Sequence, residues 1–156
     1  MENLVKSRTV EQAIEWLEKM NIEVEHTGPT NMYEFEYKGD IMLINADAPE
    51  GVLFITSPIY IPSESEQECR TLFTKALDIT EDDLSDYVVE FVKNNLAYIA
   101  QAYALPERSN ILRKYQLVTM LDDLATKANN LRSAVMILSI PFEEMVAEFD
   151  KKHLPN

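Results

Sequence analysis

Seven apolar residues, Leu117, Leu121, Leu124, Ala128, Leu131, Val135 and Leu138, recur at spacings of four, three, four, three, four and three. No other feature of the 156-residue chain constrains its fold as strongly. That spacing keeps all seven on one side of a helix, and three heptads of it need a matching apolar surface along their whole length. Pro106 breaks the chain ahead of the stripe and Ser109 can cap it, so one long helix is expected from about 110 to 138. The surface that covers the stripe is either the rest of the same chain or a second copy of it; the spacing alone suits both.

The first half reads differently. Thr9 and Gln12 form a T-x-x-Q box ahead of Val10, Ala13, Ile14, Leu17 and Met20, which recur at helical spacing, and Asn21 suits the position just past the helix end. The period then changes to two. Ile22 and Val24 alternate with Glu23 and Glu25; Tyr33, Phe35 and Tyr37 share one strand face and Glu34 and Glu36 the other. Gly39-Asp40 marks a hairpin turn, and Ile41 to Ile44 and Val52 to Thr56 are apolar strands. The second of these can continue to Ile61, with Pro58 and Pro62 placing that end at a sheet edge or bulge. This is a four-strand antiparallel meander. A second helix follows, started by Ser63 with Glu66 or Ser65 with Glu68, and burying Cys69, Leu72, Phe73, Ala76 and Leu77. Residues 87 to 104 read equally as a helix or as two strands about Asn94-Asn95. A short last helix carries Phe142, Met145, Val146 and Phe149. The expected class is α+β: one domain over residues 1–156, a meander packed by helices.

Charge excludes some partners. Acids outnumber bases 27 to 14, a net charge of −13. Nucleic acid and anionic membranes require a positive footprint, so neither is an expected partner. The acids are unevenly placed: residues 1–104 carry the whole excess, while residues 105–156 hold seven acids and seven bases. The start, MENLVKSRT, has no apolar run, no stretch is long and apolar enough to span a membrane, and Cys69 is the sole cysteine. A cytoplasmic location is the expectation.

Catalytic chemistry finds little purchase. The chain has three glycines and neither a phosphate loop, a G-x-S-x-G elbow, a C-x-x-C nor an H-E-x-x-H. Cys69 lies on an apolar stripe and reads as core rather than nucleophile. The acidic stretch from Asp78 to Asp86 is not an EF-hand, because its sixth position is Asp83 and its twelfth is Val89. Asp82, Asp83 and Asp86 read as a solvated acidic turn. No catalytic residue, metal site or cofactor is expected.

The element order has a counterpart. A capped helix, a meander with the YEFEYKGDIMLI hairpin, the VLFITSPIYI strand, an acidic helix and YALPERSNILRKYQLVTMLDDLA leading into a long helix resemble the type III secretion chaperone-like fold over about residues 9 to 138. The resemblance implies two strands for residues 87 to 104. Members of that fold are small, often acidic and dimeric, and some bind other proteins. It implies no catalytic residue.

The expected function is therefore a non-enzymatic protein-binding module, with a chaperone-like role as its finer version. Tyr33, Phe35 and Tyr37 are the candidate face for an extended peptide. The expected oligomer is a homodimer joined by the neutral last third, through Leu117, Leu121, Leu124, Ala128, Leu131, Val135 and Leu138. Arg113, Lys114, Asp122, Asp123, Lys127 and Arg132 would pair across it. Two alternatives stand beside this reading. One is a small-molecule enzyme or sensor using Tyr33, Glu34, Glu36 and Asp40 in a sheet–helix pocket; the other is an acidic inhibitor that mimics nucleic acid.

Overall fold

Ser7, not Thr9, caps the first helix. Its hydroxyl accepts from the Val10 backbone N–H at 3.1 Å, and α1 runs Arg8–Lys19. Thr9 and Gln12 serve tertiary contacts instead: the Thr9 hydroxyl accepts from the Gly51 N–H, and the Gln12 side chain accepts from the Leu112 N–H at 2.6 Å. Asn21 takes the left-handed conformation just past the helix, with φ of 62°, and Ile22 N–H closes back on the Leu17 carbonyl. The computed structural model describes residues 7–62, 65–84, 86–93, 95–106 and 111–139. The expected last helix, with Phe142, Met145, Val146 and Phe149, lies outside these residues.

Six strands form one antiparallel sheet: β1 (Glu25–Thr27), β2 (Met32–Tyr37), β3 (Asp40–Asn45), β4 (Val52–Tyr60), β5 (Val88–Lys93) and β6 (Leu96–Ala104). Their order is β1-β2-β3-β4-β6-β5. The meander is as the alternation implies, although β1 is short and Ile22 and Val24 stay outside its ladder. Residues 87 to 104 are strands, so the Tyr-Val-Val run outweighs the alanines. Helix α2 (Glu66–Thr80), capped by Ser65, links β4 to β5, and α3 (Lys114–Ser139) follows β6.

Pro58 sits inside β4, a central strand, because its missing N–H falls where no partner is needed. The β3–β4 ladder has ended by that point, with Leu43/Thr56 and Ile44/Ile55 as its pairs. On that side the Ser57 hydroxyl donates to the Ile41 carbonyl, and the Pro58 carbonyl accepts from Arg132.

The three α-helices among the described residues lie against one face of the sheet. Phe35, Met42, Ile44, Leu53, Ile55, Ile59, Ala97 and Ile99 point to that side and join one buried cluster with Val10, Leu17, Cys69, Phe73 and the stripe of α3. Leu117, Leu121, Leu124, Ala128 and Leu131 are wholly buried, Val135 nearly so, and Leu138 packs at the margin. The stripe is thus consumed within one chain. Helix α3 has buried Met120, Ala125 and Ala134 as well, so its apolar side is broader than a two-helix seam and matches the sheet and α2. At 26 residues it is about 39 Å long, enough to cross the sheet.

Candidate interaction surfaces

The residues proposed from sequence separate into a buried set and an open set. Phe35 and Tyr37 are buried in the core, and Tyr33 is half-buried with its ring 4.9 Å from that of His26. Tyr37 Oη donates to Asp122 Oδ1 at 2.6 Å, which fixes the end of β2 to α3. Burial first, and then the Asp122 carboxylate, push the Tyr37 hydroxyl above the usual tyrosine range. The face set aside for a peptide is therefore the floor of the core. The seam residues are likewise core, and two of the charges beside it are spent within the chain. Asp122 meets Lys38 at 2.9 Å and Arg132 meets Asp40 at 2.9 Å.

The carboxylate pocket of the sensor reading is not assembled. Asp40 is held by Arg132 and Asn129 of α3. Glu34 and Glu36 alternate with the buried side chains of β2 and face away from the helices, while Tyr33 faces toward them. Cys69 is fully buried, its thiol 3.6 Å from the Ile61 carbonyl oxygen, as a small core residue. Among the described residues no group of three His, Cys, Asp or Glu side chains could hold a metal, and no helix is long and apolar enough to cross a membrane.

Two of the open surfaces among the described residues adjoin the sheet. The first is a groove of about 510 Å³ between residues 21–25 and the outer edge of β2. Its walls include Glu23, Glu25, Glu34 and Glu36, and Ile22, Phe35 and Ile41 add an apolar lining. Lys38 also lines it, but its ammonium is engaged by Asp122. Among the described residues no cation pairs with any of the four glutamates. The groove exists because β1 pairs with β2 over three residues only, Glu25/Glu34, His26/Tyr33 and Thr27/Met32. The Met32 N–H reaches toward the Thr27 hydroxyl on the β1 side. By the two-residue alternation, Glu36 presents its own N–H and C=O to the same edge, where the ladder has ended.

The second surface is the sheet face opposite the helices. Ladder registers place Ile41, Leu43, Phe54, Pro58, Tyr60, Leu96, Tyr98 and Val88 on it. None belongs to the buried cluster or packs against it. Tyr60 is 67% exposed, and Ile41, Leu96 and Val88 are each close to half exposed. Sequence reasoning missed this face. Its signal was present in the apolar run through β3 and β4, which suits a strand with apolar residues on both sides.

The sheet and the helix layer define a class: an antiparallel six-strand α+β protein with its helices on one side. Solved structures share that fold. One is an uncharacterized protein from Methanothermobacter thermautotrophicus, 13% identical, covering 81% of this chain and 95% of its own with a TM-score of 0.57. Another is YbjN from E. coli, described as a proposed transcription regulator, 9% identical, covering 80% of this chain and 89% of its own with a TM-score of 0.55. No family model and no curated protein sequence matches the chain.

Proposed function

We propose that the protein is a non-enzymatic protein-binding module whose groove beside β2 receives a cationic, extended segment of its partner. The observation that carries this reading is the groove itself: four glutamates without a cationic partner among the described residues, beside a strand edge where the β1 ladder stops short of Glu36. A Lys or Arg side chain entering it gains charge-assisted hydrogen bonds, and the segment that carries it can add to the sheet edge. The net charge of −13 steers such a partner toward the protein. The element order supports a chaperone-like version of the role, because it is the order on which the resemblance to the type III secretion chaperone-like fold rests. Self-association as a homodimer belongs to the same reading. A cytoplasmic setting fits a chain whose sole cysteine is a core residue.

The test is selection of linear peptides from a random displayed library, at low and at moderate salt. Enriched sequences should carry Lys or Arg flanked by β-branched residues. Their binding should weaken with salt and fall by roughly tenfold or more in a Glu34→Lys, Glu36→Lys double variant. Both side chains are exposed, so that variant keeps the fold. Absence of enrichment, or binding that ignores the double variant, would overturn the reading.

A further inference from the structure

The open sheet face differs from the rest of this acidic chain in one respect. Across β3, β4 and β6, no outward-facing residue is charged, from Ile41 and Leu43 through Phe54 and Tyr60 to Leu96 and Tyr98. Yet charged residues make up 26% of the sequence. Acids return only at the two sides of the face: Glu34 and Glu36 on β2, and Glu90 on β5, whose carboxylate accepts from the Tyr98 hydroxyl at 2.7 Å. A solvated sheet face normally alternates apolar-in with polar-out, so an apolar outer face implies a cover.

We infer that the cover is a second copy of this chain, packed sheet to sheet. Three observations favour that occupant. The first is electrostatic. Two copies at −13 each can meet closely only through surfaces free of like charge, and the centre of this face has no charge at all. A basic partner would gain from acids in the centre, which are absent. The second is size. The five strands from β2 to β5 span roughly 19 Å, and β4 is about 30 Å long, so the face projects to about 570 Å² before its side-chain relief and rim are counted. Stable interfaces bury about 800 Å² per partner, which the face and its rim can reach.

The third is shape. Large side chains gather at one end of the face, with Tyr60, Leu96 and Tyr98, while Ala100, Ala102 and Ala104 leave the other end of β6 low. A two-fold axis lying between the sheets and perpendicular to the strands places the bulky end of one copy over the low end of the other. The contact is then self-complementary, as an isologous dimer requires. It leaves α3 outside the interface, while Glu34, Glu36 and Ile41, which also line the β2 groove, lie at one side of it.

Light scattering or sedimentation of the full chain tests this, with Tyr60→Lys and Ala102→Lys as variants. Both positions are exposed in the single chain, so the monomer fold tolerates lysine there, which circular dichroism and thermal melting verify. The wild type should have a dimer mass at high micromolar concentration. Each lysine should raise the dimer dissociation constant by roughly tenfold or more, although it lowers the net negative charge and so relieves repulsion. A monomer mass for the wild type at that concentration would overturn the inference, and so would a dimer that both variants leave unchanged.

Discussion

Arg132 of α3 reaches across the helix–sheet boundary to Asp40, the first residue of β3, at 2.9 Å. The same guanidinium donates to the Ser57 hydroxyl at 2.9 Å and the Pro58 carbonyl at 3.0 Å, so one side chain ties the long helix to β3 and β4. The pair is largely shielded, with 27% of the arginine side chain and 15% of the aspartate exposed. Arg132→Ala should destabilise the protein by about 1–3 kcal/mol, because it removes the charged partner of the Asp40 carboxylate, leaving it only Asn129, and takes the Arg132 donor from the Pro58 carbonyl. Urea unfolding with an unchanged slope would read this. Arg132→Lys should restore only part of it, since an ammonium cannot serve both positions in one plane.

The stripe on α3 makes a sharper prediction. Leu124 is fully buried within one chain, so Leu124→Asp should unfold the protein rather than give a folded monomer. Leu124→Ala should cost about 2–5 kcal/mol as a cavity in the core. A folded Leu124→Asp protein with altered mass would show that the stripe is a subunit seam after all.

Acid should weaken one specific tie. The Asp122 carboxyl is held below its usual range by the hydrogen bond from Tyr37, and next by that from Lys38. A folded value below the unfolded one contributes stability that is fully present above about pH 4 and is lost as pH falls through the folded value. Asp122→Asn should therefore be less stable than wild type at pH 6, and the gap should close on acidification below about pH 4. The Asp122 side chain is 42% exposed, so the gap should be modest and shrink with salt. Paired denaturant titrations across that range measure it.

How far the sequence could be read depends on whether a feature is local. The alternation at Tyr33 to Tyr37, the helical stripe at Val10 to Leu17 and the cap at Ser65 are set by near neighbours, and each formed as its pattern implies. Thr9 was misread because a hydroxyl three residues before a glutamine suits a cap, yet Gly51, distant in sequence, claims it. The heptad spacing of α3 specifies an apolar side and not what covers it; that was decided by the sheet and α2. The β2 groove was hidden for the same reason. Glu23, Glu25, Glu34 and Glu36 look like solvated strand faces until the early end of the β1 ladder places them around one space.

The account rests most directly on that groove. The decisive measurement is a titration of isotope-labelled protein with an acetylated Val-Lys-Val-Lys-Val amide, followed by backbone amide chemical shifts. Saturable shifts should concentrate at residues 21–25 and 34–38, weaken with added salt, and vanish in the Glu34→Lys, Glu36→Lys variant. Saturable shifts that lie elsewhere, or none at these residues up to millimolar peptide, would contradict the account.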